Sequence, residues 1–410
     1  MTTVTKGGSV RTVLVCMMAN NFTLGLMFGS FGALLALNEQ AFGEARDTIS
    51  LGMSAFTTMM GLSALFMGGL VQKFTPRLAL ALGVSACCCA FLVLSLTSNL
   101  VVAFAMWGLL GFGTAMAAIL APVAIAAEHF PDRSGRILGL VNLPVVLFVA
   151  PWAITKLVPI LGRDGVYLLM AGLLAPVLLL ALSLPSTRSG LKDAHRHSAG
   201  GMPARLMMAR SDFWLITLGI ALIAGTGVAF TVHAIPYAET RGLPKPNAAL
   251  MLSLYSGAGL AGVPLFGWLA DKLGPPTALA ISAALQSLCW FGLAISSPAN
   301  FFVIAAVLGL ATTPLTTLHG AAMAGLFGAA SVSKAMGISF AVKLPFLFAI
   351  SPAVAYAFVH LNDYRPAILT VSASLLGAFL ILVAGLLAAR GRAFQPDNTP
   401  LAGSPAHGPA

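Results

Sequence analysis

Long apolar segments constrain this chain more than any other feature of its sequence. A helix needs about 20 apolar residues to cross the hydrocarbon core of a membrane, and twelve segments of the 410-residue chain reach that length. Only 8% of the residues are charged, whereas soluble domains carry about 25%. We therefore predict an all-α, multi-pass membrane protein. The twelve predicted spans are 11–37, 48–70, 78–97, 100–127, 137–160, 165–184, 213–238, 247–270, 276–297, 300–327, 335–360 and 366–389.

Lysine and arginine are distributed unevenly between the loops on the two sides of these spans. Fifteen lie on the side of the two termini, and five lie on the other: Arg46, Arg163, Arg241, Lys245 and Arg365. Cytoplasmic loops are enriched in these residues, so we expect both termini to be cytoplasmic and the chain to lie in the cytoplasmic (inner) membrane. The net charge of +10 is thus an orientation signal and does not indicate a nucleic-acid partner. The expected partners are the lipid bilayer and a small molecule, and the protein is expected to be monomeric.

The longest polar connection divides the chain into two halves of six spans each. This central loop is rich in Ser, Gly and Arg and is predicted to be cytoplasmic. The last stretch is rich in Pro, Gly and Ala, which is typical of a disordered tail. The predicted organisation is a cytoplasmic tail at 1–10, a six-helix bundle at 11–184, the central loop at 185–212, a second six-helix bundle at 213–390 and a disordered cytoplasmic tail at 391–410.

The two halves share a short motif at corresponding places. After span two the chain reads GGLVQKFTPR from Gly68, and after span eight it reads GWLADKLGPP from Gly267. The offset between the two copies is about half the chain. This loop resembles the signature loop of the major facilitator superfamily, and with twelve spans and a long central loop the resemblance covers about residues 10–390. It implies two pseudo-symmetric six-helix bundles around a cavity that opens alternately to each side.

In that family the charges of the loop latch the two bundles in one conformation. The resemblance therefore implies latch roles for Lys73, Arg77, Asp271 and Lys272. The first copy departs from the pattern because Gln72 stands in place of the acidic residue. We therefore expect the latch to depend more on the second half.

Three segments resemble the monocarboxylate-porter and oxalate/formate-antiporter branch of the superfamily. They are FGEARDTISLGMSAF from Phe42, HAIPYA from His233 and AVK ending at Lys343. In the oxalate/formate antiporters a lysine in span eleven pairs with the carboxylate of the substrate. That branch often carries an arginine in span eight, but the neutral Val263 lies near that position here. Because a dianion would need two cations, this departure favours a singly charged substrate or a zwitterion.

Lys343 is the one charged residue in the otherwise apolar stretch 335–356. A lysine at the centre of a span costs about 2.5–3.5 kcal/mol on insertion scales. None of the twelve Asp and Glu residues lies in the middle of a span, so Lys343 has no evident carboxylate partner within the membrane. The two interpretations are an ammonium that binds an anionic substrate and a lysine that is hydrogen-bonded between helices.

Other polar groups in the spans complete the candidate site. His233 in span seven and His319 in span ten are candidates for proton coupling, because imidazole titrates near neutral pH. In the resembled fold, spans one, four, seven and ten line the cavity with contributions from five, eight and eleven. The residues expected to contact the substrate are Lys343, Asn20, Asn21, Trp107, Asn142 and Tyr255.

The sequence contains no P-loop, dinucleotide fingerprint or nucleophile elbow, and its five cysteines form no CxxC pair. We expect no enzymatic activity, no cofactor and no metal site. The favoured function is secondary active transport of a small organic anion, a monocarboxylate, by symport or antiport. Two alternatives remain open at this point: an efflux pump for a hydrophobic drug or metabolite, and a membrane sensor or assembly factor that transports nothing.

Overall fold

The computed structural model describes residues 6–70, 75–122, 125, 137, 140–184, 202–328 and 331–390. These residues form helices joined by short connections, with no strand among them. The predicted all-α fold is thus confirmed. The helical segments are Lys6–Asn20, Asn21–Gly25 (π), Leu26–Phe42, Arg46–Leu70, Pro76–Leu96, Leu100–Thr114, Ala115–Leu120 (π), Val145–Leu182, Ala204–Met208, Ser211–Thr240, Lys245–Leu273, Pro275–Ile295, Pro298–Asn300 (3₁₀), Phe301–Thr312, Leu315–Phe327, Val332–Leu361 and Arg365–Arg390.

Ten helical segments of the described chain are long and apolar enough to cross a membrane. One of them, Val145–Leu182, contains most of span five and most of span six. The two spans are separated at Gly162, where the backbone leaves the helical region at φ 65°. Val145 and Leu173 line the same cavity, although a straight helix would separate them by about 42 Å. The chain therefore turns back at Gly162. With the 25-residue helix Arg46–Leu70 as span two, each of the twelve predicted spans contains helix.

Four spans are less regular than their composition predicts. Span five becomes a continuous helix only at Val145, because Pro144 disfavours the helical conformation in the residue before it. Span ten is interrupted at Thr313–Pro314 between its two helices. Span one contains a π-helical turn at Asn21–Gly25 and span four contains another at Ala115–Leu120, and such turns are frequent at functional sites.

The central loop also differs from expectation. A short helix, Ala204–Met208, lies inside the segment predicted as loop at 185–212. Residues 185–201 of that loop and the predicted tail at 391–410 lie outside the described residues.

Two glycines at corresponding places show the internal repeat in the packing. A Cβ on Gly111 in span four would overlap the carbonyl oxygen of Phe56 in span two, and a Cβ on Gly309 in span ten would overlap that of Tyr255 in span eight. The pairs are offset by 198 and 199 residues, which matches the 199 residues between the motif glycines at 68 and 267. The repeated motif thus accompanies a repeated helix contact.

Three pairs of spans make the most extensive contacts between the two halves in the described part of the chain. Span two packs on span eleven, where the Ser54 hydroxyl donates to the Phe348 carbonyl at 2.6 Å. Span five packs on span eight, with Phe148 against Gly257. Span one packs on span seven, where a Cβ added to Gly32 would lie 2.8 Å from the Val232 carbonyl oxygen. The halves therefore meet through small residues and backbone, which allows close approach.

One end of the molecule brings together the loops predicted to lie opposite the termini; we call it the Arg46 end. Arginines join neighbouring helix ends there. Arg163 donates to the Thr97 carbonyl at 3.3 Å, Arg241 to Ser296 at 3.0 Å and Arg365 to Ala294 at 3.1 Å. The alternating direction of the predicted spans agrees with this arrangement.

Candidate functional site

Lys343 belongs to span eleven, and its side chain faces a histidine of span ten. Its side chain is 6% exposed, and Nζ lies 3.3 Å from Nδ1 of His319. The same Nζ lies 3.5 Å from the ring centroid of Phe340, one helical turn earlier, which is a cation–π contact. The structure thus brings together the predicted anion contact and one of the two histidines predicted for proton coupling.

Ser339 completes this group and sets the orientation of the imidazole. His319 is 1% exposed, and its Nε2 lies 2.8 Å from the Ser339 hydroxyl. With Lys343 as an ammonium, which only donates hydrogen bonds, Nδ1 of a neutral His319 accepts from Lys343, and Nε2 carries the ring hydrogen and donates to Ser339. We call Lys343, His319 and Ser339 the lysine–histidine group.

Lys343 has no carboxylate partner in the described part of the chain. The three ion pairs there join Arg46 to Glu39, Arg163 to Asp164 and Arg210 to Asp212. An ammonium has three donors, and one imidazole nitrogen occupies one of them. When Lys343 is protonated, the group carries a buried positive charge with donor capacity for an incoming anion.

The predicted asparagines lie together in the N-terminal half. Asn20 donates to the Asn142 side chain at 2.9 Å and to the Ala118 carbonyl at 3.1 Å. Asn21 accepts from the backbone amide of Val146 at 3.0 Å, at the first turn of the helix of span five. These side chains hydrogen-bond to backbone groups at the π-helical and broken regions of spans one, four and five. Their role as substrate contacts stays a prediction.

Trp107 and Tyr255 lie in aromatic clusters, one in each half. Trp107 is fully buried, with its ring edge-on to Phe104 at a centroid distance of 5.3 Å. Tyr255 is 5% exposed and packs on Phe230 at 4.6 Å. The predicted contacts of Trp107 and Tyr255 with the substrate likewise stay predictions.

His233 is separate from the lysine–histidine group and lies near the Arg46 end. Its Nε2 lies 2.9 Å from the Ser351 carbonyl oxygen, and its Nδ1 lies 3.4 Å from the Tyr364 hydroxyl. The two histidines predicted for proton coupling are therefore in different environments, and only His319 contacts Lys343.

The predicted latch is described only in part. Asp271 and Lys272 are exposed, and Nζ of Lys272 lies 4.5 Å from the ring centroid of Trp268. Arg77 follows the N-cap residue Thr75 and Pro76 at the start of span three. Lys73 lies outside the described residues. The latch assignment stays a prediction.

Sequence reasoning missed Ser339 and Tyr364. Ser339 lies four residues before Lys343, and this spacing places both side chains on one face of the helix. Ser339 could therefore have been predicted as a neighbour of Lys343 from the sequence. Tyr364 lies in a loop of the second half and meets Arg46 of the first half. Nothing in the sequence indicated that contact.

Known proteins resemble the chain in sequence. It is 28% identical to monocarboxylate transporter 11 of Homo sapiens over 340 residues, covering 78% of this chain and 70% of that protein. It is 20% identical to the oxalate:formate antiporter of Oxalobacter formigenes over 241 residues, covering 56% and 57%. These relatives confirm the predicted resemblance to this branch, and they are transporters, not enzymes.

The fold is also that of a solved transporter. The structure of the peptide transporter POT in complex with sulfate superposes with a TM-score of 0.75 at 15% identity, covering 92% of this chain and 94% of that one. The family model of the Major Facilitator Superfamily matches residues 17–300 and 215–407. Together with the twelve helical spans and the repeated loop motif, this match shows that the chain is a multi-pass membrane transporter of the Major Facilitator Superfamily.

Proposed function

We propose that the protein is a secondary active transporter of a small organic anion, a monocarboxylate, in the cytoplasmic membrane, with both termini cytoplasmic. The observation that carries the proposal is the buried ammonium of Lys343, which has a histidine and no described carboxylate beside it. Burying a carboxylate without a partner is prohibitive. An ammonium that faces the transport pathway removes most of that barrier, and alternating access then moves the anion across.

The presence of one cation at the proposed site favours a substrate with one negative charge. In the described interior the other buried basic residue apart from histidine, Arg163, is bound by the Asn38 side chain and the Thr97 carbonyl near the loops. A second carboxylate on the substrate would lack a cation beside Lys343. The names of the relatives, a monocarboxylate transporter and an oxalate:formate antiporter, agree with a carboxylate as cargo.

Counterflow in proteoliposomes tests the proposed substrate class. Vesicles are loaded with one unlabelled acid, and uptake of the labelled acid is measured against unlabelled competitors outside. We expect monocarboxylates to compete, dicarboxylates of similar size to compete much less, and neutral amides of the same acids not to compete. Equal competition by an acid and its amide would contradict a charge-based site.

The uncharged cavity walls favour a second candidate, an efflux pump for a hydrophobic compound. A cavity of about 290 Å³ is lined by apolar side chains of spans one, five and six, including Phe22, Val149 and Met170. Such a cavity offers no partner for an anion. Lipophilic dyes are therefore included as competitors in the same counterflow assay. Inhibition by dyes together with indifference to carboxylates would favour the efflux function.

We further propose that His319 carries the proton if transport is proton-coupled. Asparagine at this position keeps an acceptor for Lys343 but does not titrate. His319→Asn is expected to abolish accumulation driven by a pH gradient, while exchange of anion for anion continues. Uptake under an inward acid gradient and counterflow are the two measurements.

The matched control for this prediction is His360→Asn, since His360 is exposed at the end of span eleven. Accumulation driven by the pH gradient should be the same in the His360→Asn protein as in wild type. Gradient-driven accumulation by the His319→Asn protein at the wild-type level would exclude His319 as the proton carrier.

A further inference from the structure

Arg46 differs from the other three arginines at its end of the molecule. Arg163, Arg241 and Arg365 each bind carbonyl oxygens within their own half. Arg46 belongs to the first half, yet its Nη1 donates to the hydroxyl of Tyr364 in the second half at 3.1 Å. Its contact therefore has to break whenever the halves separate at this end.

Both sides of this contact are fixed by further partners. On the first half, Glu39 holds the guanidinium through Oε1 at 2.6 Å and Oε2 at 3.3 Å. On the second half, Phe358 stacks on Tyr364 with a centroid distance of 4.2 Å and lies 4.9 Å from the Arg46 guanidinium carbon. Tyr364 is 1% exposed. The contact is thus between two preorganised groups, which reduces the entropy lost when it forms.

The hydrogen bonds continue from Tyr364 into the second half in one direction. Nε2 of His233 faces the carbonyl of Ser351 at 2.9 Å, so this nitrogen carries the ring hydrogen. Nδ1 is then the acceptor for the Tyr364 hydroxyl, which in turn accepts from Arg46. Burial raises the pKa of Tyr364 and Arg46 lowers it, with a net rise; the phenol therefore keeps the proton that it donates.

We propose that Glu39, Arg46, Tyr364 and His233 form a lock that holds the two halves together at the Arg46 end. The lock closes one side of the transport pathway and opens in each cycle. It is separate from the lysine–histidine group and does not depend on which substrate is carried. The close contact of Gly32 with the Thr231 and Val232 carbonyls brings the same two halves together through backbone alone, so it offers an independent means of forcing the end open.

Distances between spin labels on the two halves test the lock. Labels are placed at two exposed residues of the Arg46 end, through Glu44→Cys in a loop of the first half and Asn247→Cys in the first helical turn of span eight in the second half. The five native cysteines lie inside the spans and are replaced by alanine. Pulsed electron resonance in lipid nanodiscs then reports the closed and open fractions.

Two variants remove the contact with little change in volume. Tyr364→Phe keeps the ring that stacks on Phe358 and loses only the hydroxyl, and Arg46→Gln loses the guanidinium. Because a hydrogen bond to a charged group contributes about 1.5–3 kcal/mol, each variant is expected to raise the open-to-closed ratio about tenfold or more. Gly32→Ala should also raise it, by steric pressure between spans one and seven.

Matched controls separate the lock from general destabilisation. Tyr356→Phe removes an exposed hydroxyl from the same span region, and Arg365→Gln removes an arginine that binds within its own half. Both should keep the wild-type distance distribution, and all variants should elute as one monodisperse peak. Wild-type distances in Tyr364→Phe and Arg46→Gln would overturn the lock, whether or not Gly32→Ala opens the end. Equal opening in the two controls would overturn it as well.

Discussion

Lys343→Ala is expected to reduce anion uptake to the level of empty vesicles. Truncating one member of a buried, charged hydrogen-bonded pair typically costs about 2–5 kcal/mol, which corresponds to a loss of about 30-fold or more in affinity. The helix around residue 343 should persist, because alanine has the highest helix propensity. Uptake of a labelled monocarboxylate into proteoliposomes measures the effect.

Lysine at another position serves as the control. Lys156 is exposed near the Arg46 end of the fifth span, so Lys156→Ala removes the same charge without touching the lysine–histidine group. Uptake by that variant should match wild type. Reduced uptake in both variants would indicate that overall positive charge, and not a site at Lys343, supports transport.

Gly309→Ala is expected to have the largest effect on stability. The added Cβ would overlap the backbone carbonyl of Tyr255, which cannot rotate away as a side chain can. Overpacking of this kind costs about 1–3 kcal/mol. We expect a clearly lower melting temperature of the purified protein in detergent, measured by intrinsic fluorescence.

Gly320→Ala in the same span is the matched control. No atom outside its own helix backbone lies within 4 Å of the position that its Cβ would take, and alanine is favoured over glycine within a helix by about 1 kcal/mol. This variant should be as stable as wild type or more so. Equal loss of stability in both variants would show that the contact between spans eight and ten is not what requires glycine at 309.

The number of spans and the repeat could be predicted because they depend on length and composition. A span must be apolar for about 20 residues, and a duplicated loop keeps its spacing. The irregular places could not be predicted. The π-helical turn at Asn21–Gly25 and the late start of the helix at Val145 depend on which neighbouring side chains satisfy the freed backbone groups. That information lies in the packing of three spans and not in any one of them.

The candidate site was predictable to the extent that burial of charge is costly. Lys343 could be identified because burying an ammonium in an apolar span is costly unless the charge has a function or a partner. His319 could be identified because few titratable residues lie within the spans. Their contact could not be foreseen, since it joins residues of different spans. The same limit applies to Arg46 and Tyr364, which lie 318 positions apart in the chain. Pairing across helices is a property of the assembled bundle.

Direct binding to the purified protein tests the central claim, that the Lys343 ammonium is the anchor of a singly charged substrate. A labelled monocarboxylate identified by counterflow is titrated into the wild-type, Lys343→Ala and Lys156→Ala proteins by scintillation proximity. We expect unchanged affinity for Lys156→Ala and a Kd at least about 30-fold higher for Lys343→Ala. The same Kd for wild type and Lys343→Ala would contradict it.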